Sequence, residues 1–182
     1  MLTKEIKQNW QLYPSAISQY IVDDIIKLAG DTTQANTFND SKDDVRKSRV
    51  SWIKDKRVLS LLYDYVDMAN RNTFGIQIYK KADIQFTEYL ATEGGHYNWH
   101  HDINWNRNDG LDRKLSVTLQ LSDPSEYVGG EFCFSECESP SIDLKKKGSI
   151  LIFPSYLVHR VLPVTKGIRR SLVAWFEGPS WR

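Results

Sequence analysis

Cysteine is scarce in this 182-residue chain, which carries Cys133 and Cys137 and no others. Two thiols are too few for the disulfide framework of a small secreted domain, and too few for a cysteine-based zinc site without added ligands. Free thiols are the expected state. Long apolar runs are missing as well. No stretch is long enough to cross a bilayer, and the charged opening Met1-Leu2-Thr3-Lys4-Glu5-Ile6-Lys7 has no apolar segment behind it, which predicts a cytoplasmic protein with no membrane partner. An excess of one charge is also lacking. With 24 basic against 23 acidic residues the formal net charge is +1, so nothing draws the chain generally to a phosphate backbone and nucleic acid is a disfavoured partner. No internal repeat, low-complexity tract or composition shift divides the sequence, which predicts one domain over residues 1–182.

What the chain does have is apolar and aromatic. Hydrophobic residues make up 41%, with six Trp, nine Tyr and seven Phe, which excludes a disordered or collagen-like protein and suits strands around a filled core or a lined cavity. After Pro14-Ser15, the residues Ile17, Ile21, Ile25 and Leu28 recur at helical spacing and Gly30 stands where a helix can end. Val58, Leu61, Leu62, Tyr65, Val66 and Ala69 predict a second helix over 58–69, closing before Thr73-Phe74-Gly75. Residues 31–44 between them read as polar loop.

From residue 76 the period changes to two. Ile84, Phe86, Glu88 and Leu90 alternate with polar neighbours, and so do Leu115, Val117, Leu119 and Leu121. Further strands are predicted at 130–135, 149–153, 158–161 and 168–177, with Asp123-Pro124, Gly129-Gly130 and Lys147-Gly148 as turns. The expected class is α+β, mainly β: a sandwich or jelly roll in 76–182 buttressed by helices of 1–75. Two basic clusters stand out. Lys42, Arg46, Lys47, Arg49, Lys54, Lys56 and Arg57 crowd together, diluted by Asp43, Asp44 and Asp55, and read first as a solvated face and second as a surface turned to substrate. Lys145-Lys146-Lys147 reads as a solvated hairpin end that charge protects from edge pairing.

The chemistry concentrates in His96-Tyr97-Asn98-Trp99-His100-His101-Asp102, taken with His159 and with Gly167-Ile168-Arg169-Arg170-Ser171. His100 and Asp102 point to one side of an extended backbone while His101 turns away, and a short β segment can fold His159 back beside them. Two imidazoles and one carboxylate are the set that holds non-haem iron(II) on one face and leaves the other positions open. Zinc accepts the same set, and His96 and His100 stand four apart as in helical zinc hydrolase motifs, although Gly94-Gly95 argue against a helix there. On an extended strand Arg169, Ser171 and Val173 share one face and Arg170 and Leu172 the other. An interior guanidinium needs an anion, either a protein carboxylate or a dicarboxylate ligand. Trp99, Trp175 and Phe134 are candidates to line the cavity.

In their order and spacing several segments resemble one family. They are Phe86-Thr87-Glu88-Tyr89, Gly95 to Asp102, Gly129-Gly130-Glu131-Phe132, Gly148-Ser149 with Phe153-Pro154-Ser155, and His159-Arg160-Val161 through Gly167-Ile168-Arg169. Together, over about Gln85 to Phe176, they resemble the iron(II) and 2-oxoglutarate-dependent dioxygenases, in particular the prolyl 4-hydroxylase-like branch with its PKHD-type hydroxylases and small bacterial and phage forms. Arg46-Lys47-Ser48-Arg49-Val50-Ser51-Trp52 is similar to the segment that precedes the catalytic core in that branch. The resemblance implies a double-stranded β-helix, with His100, Asp102 and His159 as iron ligands. It further implies that Arg169 binds the distal carboxylate of 2-oxoglutarate, with Tyr89 as a second donor and Ser171 beside it. Fe(II), 2-oxoglutarate and O2 would be required, with ascorbate as an accessory reductant. The implied reaction is hydroxylation of a C–H bond, foremost in a prolyl residue of a peptide or protein, with release of succinate and CO2. A free amino acid or other small molecule is the second substrate reading, and a non-catalytic metal-binding jelly roll is the rival from another class. A nucleic-acid demethylase is disfavoured by the charge balance. No motif speaks to oligomeric state.

Overall fold

Period-two alternation gives the long strands one apolar and one partly polar face, and the architecture is built to bury both. The computed structural model describes residues 8–35, 45–140 and 142–181. In chain order these form β1 (Gln11–Tyr13), α1 (Gln19–Ala29), β2 (Thr33–Gln34), β3 (Arg46–Lys47), β4 (Arg49–Trp52) and α2 (Lys56–Ala69). There follow β5 (Ala82–Leu90), β6 (His96–His100), β7 (Leu111–Gln120), β8 (Tyr127–Gly129), β9 (Phe132–Phe134), β10 (Ile150–Pro154), β11 (His159–Val161) and β12 (Val164–Pro179). The larger sheet has the order β1-β10-β7-β12-β5-β4-β2, with β8 also pairing with β12, and the smaller has the order β3-β6-β11-β9. All of these pairings are antiparallel. This is the mainly β jelly roll that the sequence pattern predicts.

The outer face of the larger sheet carries Ile84 and Phe86 of β5, Leu115, Val117 and Leu119 of β7, and Leu172, Ala174 and Phe176 of β12. They are buried against Val22 and Ile25 of α1 and Val58, Leu62 and Val66 of α2. The opposite face meets the smaller sheet, where Leu151, Phe153, Phe132, Phe134 and Val161 form a second, smaller core. Side chains one residue apart on β12 therefore enter different layers.

The N-terminal third departs from the helices-and-loop expectation in ways that have physical causes. α1 starts only at Gln19; Ile17 precedes it and its N–H donates to the Gly148 carbonyl at 3.0 Å. The buried stripe is Val22, Ile25 and Ala29, while Ile21 and Leu28 are 37% and 43% exposed. Counting the stripe from Ile17 rotates it away from the true one. α2 is capped by Asp55, whose carboxylate accepts from the N–H groups of Arg57 and Val58. It does not close at Ala69 but runs on through a π-helical turn, Asn70–Phe74, and stops at Gly75 in the left-handed region. The Asn70 side chain then holds Ile76 by both its N–H and its carbonyl. β1 to β4 also lie in this third and extend both sheets, each too short to show a period. Lys42, Asp43 and Asp44 lie outside the described residues, as does most of the loop expected over 31–44.

The second basic cluster is not free in solvent. Lys145, Lys146 and Lys147 pair with Glu131, Asp143 and Asp23 at 2.6, 2.7 and 3.2 Å. Both cysteines are free thiols. Among the described residues no helix is long and apolar enough to cross a membrane.

Leu172 is fully buried at the centre of the larger sheet, between Phe86 of β5 and Leu119 of β7. Leu172→Ala should lower unfolding free energy by about 3 kcal/mol. Val128→Ala, at a site 54% exposed, should change it by less than about 0.5 kcal/mol. Urea titration of both variants checks the contrast.

Candidate metal centre and co-substrate pocket

β6 and β11 are neighbours in the smaller sheet, and their register sets His159 opposite His100. Each imidazole is fixed by its own strand. His100 Nδ1 lies 2.7 Å from the Asn98 carbonyl and His159 Nδ1 lies 2.8 Å from the Leu157 carbonyl. A carbonyl only accepts, so each Nδ1 carries the proton and each Nε2 presents a lone pair. β6 ends at His100, and the chain bends so that the Asp102 N–H donates to the Ser155 carbonyl at 2.9 Å. The Asp102 carboxylate then faces both rings, with His100 Nε2 and His159 Nε2 each 3.7 Å from one of its oxygens. That is too far for a hydrogen bond. Among the described residues, these three are the one group of histidine, cysteine or acidic side chains whose ligand atoms, all within 4.8 Å of one another, could hold a metal ion.

Neighbours prepare the three groups for that use. Ser116 Oγ donates to Asp102 Oδ2 at 2.6 Å and shares a 2.9 Å hydrogen bond with Ser155 Oγ. Phe132 stacks on His159 at 5.2 Å, Phe153 meets it edge-on at 4.9 Å, and Tyr97 stacks on His100 at 3.4 Å. Burial, reinforced by the neighbouring His159, depresses the His100 pKa to about 3, so the ring is neutral at physiological pH. Burial opposes ionisation of Asp102, but His159, His100 and the Ser116 hydroxyl outweigh it and hold the carboxyl below its usual range. Two imidazoles held through Nδ1, with their Nε2 atoms turned to one ionised carboxylate, fit a divalent transition metal.

The same enclosed cavity is lined by Arg169, Tyr89, Ser171 and Trp175. Alternation on β12 turns Arg169 and Ser171 inward together, opposite Tyr89 and Thr87 of β5. Arg169 is 3% exposed and its guanidinium carbon lies 5.6 Å from the centre of the Tyr89 ring. Among the described residues no carboxylate forms an ion pair with it, whereas its neighbour Arg170 binds Glu88 at 2.9 Å on the other face. Gly130, at positive φ, makes room for Arg169: a Cβ there would stand 2.8 Å from Arg169 Cδ. An unpaired buried guanidinium is a site for an anion, so the donor set suits a dicarboxylate.

His96 and His101 stay outside the cluster. His96 lies on a strand, not a helix, with Nδ1 2.7 Å from the Gly94 carbonyl, and exposed His101 stands beside Trp105. Of the candidate cavity aromatics, Trp175 lines the cavity and Phe134 packs behind His159, but Trp99 is 43% exposed under the Arg160 guanidinium. The sequence reading gave no site role to Gln85, Ser116 and Thr118, left Tyr97 without one inside the histidine motif, and placed Arg46 in a basic cluster read first as a solvated face and only second as turned to substrate. Arg46 leaves the solvated crowd: its guanidinium donates to Gln85 Oε1 at 2.8 Å and to Ser48 Oγ at 2.7 Å, over the Tyr97 ring. The available signal was the polar alternation Gln85-Thr87-Tyr89 and Ser116-Thr118-Gln120, a second buried face on strands already recognised.

The fold and the donor set thus define a double-stranded β-helix with a two-histidine, one-carboxylate centre. Residues 84–177, more than half of the chain, match the sequence model of the 2OG-Fe(II) oxygenase superfamily, and the chain belongs to that family. It is similar to a PKHD-type hydroxylase of Synechococcus sp. (strain CC9902), 37% identical over 84 residues, a match spanning 46% of this chain and 37% of the relative. A PKHD-type hydroxylase of Colwellia psychrerythraea is 27% identical over 173 residues, 90% of this chain and 76% of the relative. Among solved structures, a prolyl-4-hydroxylase of Pseudomonas putida superposes with a TM-score of 0.73 at 19% identity, covering 93% of each chain. A prolyl hydroxylase of Trichoplax adhaerens, in complex with a hypoxia inducible factor peptide fragment, gives 0.72 at 17%, covering 92% and 83%. At these identities the likeness concerns the fold.

The depressed His100 pKa has a measurable sign. Between its ordinary value of 6.5 and about 3 the unfolded chain binds a proton that the folded, metal-free protein does not. Stability is therefore complete above the ordinary value and is lost as pH falls toward the folded one. Denaturant unfolding at about pH 7 and about pH 4.5 should show a larger loss in wild type than in His100→Gln. Equal losses would remove His100 as the source.

Proposed function

We propose that the chain is an iron(II)- and 2-oxoglutarate-dependent dioxygenase that hydroxylates a C–H bond, foremost of a prolyl residue in a peptide or protein. One observation carries the proposal: three side chains able to hold a metal ion share one enclosed cavity with a buried Arg169 that pairs with no carboxylate among the described residues. The family supports the cofactor pair, and the prolyl hydroxylases that share the fold support the substrate.

Bound together, iron(II), 2-oxoglutarate and O2 supply an oxidation that no side chain can perform, releasing succinate and CO2. His100, Asp102 and His159 would hold the metal, the backbone carbonyls of Asn98 and Leu157 fixing the ring orientations and Ser116 fixing the carboxylate. Arg169 would bind the distal carboxylate of the keto acid, with the Tyr89 and Ser171 hydroxyls beside it. Phe132, Phe153 and Tyr97 exclude water from the rings, which strengthens the electrostatic contacts made there.

Anaerobic titration with iron(II) should give a visible charge-transfer band only when 2-oxoglutarate is also present. Arg169→Ala should weaken 2-oxoglutarate binding at least about tenfold, the loss expected for a charge-assisted bidentate pair, and Asp102→Ala should abolish the band. Zinc binding without any iron and keto-acid band would instead favour the hydrolase or binding-module reading.

A further inference from the structure

A separate cavity of about 290 Å3 meets the metal cavity at Arg169 and Phe132, the residues common to both walls. It holds none of the three candidate metal ligands, nor Tyr89, Ser171 or Trp175. Its walls are mostly apolar, formed by Tyr127, Phe132, Pro140, Ile142 and Leu144. Among the described residues, the charged side chains that reach it are Glu131, Lys145 and Arg169. Glu131 and Lys145 neutralise each other at 2.6 Å, which leaves the buried Arg169 as the unbalanced charge. Tyr127, 5% exposed, accepts from Gln120 Nε2 at 3.0 Å, so its own hydroxyl hydrogen is left to donate. Gly130 keeps the junction open: a Cβ there would stand 2.8 Å from Arg169 Cδ and 3.4 Å from Tyr127 Cε2.

We infer that this cavity takes a second ligand, a small monocarboxylic acid with an apolar body, whose carboxylate meets Arg169 and the Tyr127 hydroxyl while its body lies against Phe132, Leu144 and Ile142. Apolar walls with a few convergent polar groups are the usual make-up of a small-molecule site. A buried guanidinium without a counter-ion selects a carboxylate. One uncompensated charge matches one carboxylate, and the second charge of a dicarboxylate would lie among apolar side chains at a cost. The consequence is regulatory and rests on the oxygenase reading above, in which Arg169 binds the keto acid from the metal cavity. Once either carboxylate is bound, the other meets a guanidinium already neutralised and a like charge beside it, so the two ligands bind against each other. The acid is therefore an inhibitor that acts from behind the keto-acid site and not through the metal. Lys145 and Glu131 tune its affinity. Lys145 foremost, and Arg169 with it, hold the Glu131 carboxyl below its usual range against the effect of burial, so Glu131 and Arg169 lie within each other's field.

The test titrates hexanoate, propionate and the uncharged hexanamide into the metal-free protein by calorimetry. Hexanoate should bind at least about tenfold more tightly than either, because propionate lacks most of the apolar body and hexanamide lacks the charge. Arg169→Ala should erase the preference over hexanamide. Glu131→Gln should tighten hexanoate binding and Lys145→Met should weaken it, opposite signs that a general loss of structure does not produce. Ile142→Trp, at a side chain 79% exposed, should fill the cavity and weaken hexanoate binding at least about tenfold. With iron(II) present, hexanoate should raise the 2-oxoglutarate concentration needed for the half-maximal charge-transfer band without lowering the band at saturation. Ile142→Trp should abolish that shift and leave 2-oxoglutarate affinity within about twofold. Equal binding of hexanoate and hexanamide, or the same sign in both charge variants, overturns the inference. So does hexanoate binding or competition that persists in Ile142→Trp, which would place the acid in the metal cavity. If iron(II) and 2-oxoglutarate give no band, the oxygenase reading falls, while charge-selective binding of hexanoate to the metal-free protein leaves the second site standing.

Discussion

The simultaneous pairing of β12 with β5 on one side and β7 on the other is the constraint on which both cores and the candidate centre depend. Sixteen residues run through this strand, alternating between a layer packed by helices and a layer facing the smaller sheet. A slip of one residue would exchange Arg169, Ser171 and Trp175 with Arg170, Leu172 and Ala174. Ser171 or Val173 would then lie between Phe86 and Leu119, and Leu172 would line the cavity. Withdrawing Leu172, Ala174 and Phe176 together from the layer packed by the helices costs their burial all at once. The apolar face packed by α1 and α2 therefore fixes the register, and the register places the polar groups of the other face.

Alternation is also what made so much of the site readable in the sequence. His100 with Asp102, and Arg169 with Ser171, are i, i+2 pairs, and the same-side reading holds for both. It holds for Arg169 and Ser171 because they lie on a long regular strand. It holds for His100 and Asp102 even though β6 ends at His100, because the Ser155 carbonyl captures the Asp102 N–H just beyond the strand. Alternation separates two faces without saying which of them is interior. Gln85, Thr87, Ser116, Thr118 and Gln120 look like solvent-facing positions, yet they are buried, because a second sheet covers them. That covering depends on β3 and β6 coming together across the chain, with Arg46 beside Tyr97, and local pattern carries no trace of it. The phase of α1 was misread for a related reason: Ile17 lies in the bend before the helix, tied by its N–H to the Gly148 carbonyl, so it belongs to a different period from Val22 and Ile25.

A polar inner face carries a cost that the structure offsets in two ways. Where the polar groups serve one another they are hydrogen-bonded, as in the chain Ser155–Ser116–Asp102 and in the contacts of Gln120 with Tyr127 and Ser122. Where they face the cavity, backbone groups or aromatic rings hold them in place and leave their binding atoms unused. His100 and His159 show this most clearly, since each Nδ1 is occupied by a carbonyl of its own chain segment and each Nε2 is left for a ligand. A centre organised this way binds without rearranging its donors, so little binding energy goes into reorganisation.

Charge gives a reason for the distance between Asp102 and Arg169. Each is buried without an oppositely charged Lys, Arg, Asp or Glu side chain in contact among the described residues, an arrangement that stability alone disfavours. On the proposed reading each has a partner among the ligands: the divalent metal for the carboxylate, and the distal carboxylate of the keto acid for the guanidinium. The doubly negative keto acid also cancels the double positive charge of the metal, so the filled cavity returns to the net charge of the empty one. Metal alone leaves an excess of positive charge in a site with little water, and keto acid alone an excess of negative. On that reading either half-filled state would be disfavoured relative to the full one, and binding of one component would strengthen binding of the other through the field of the cavity.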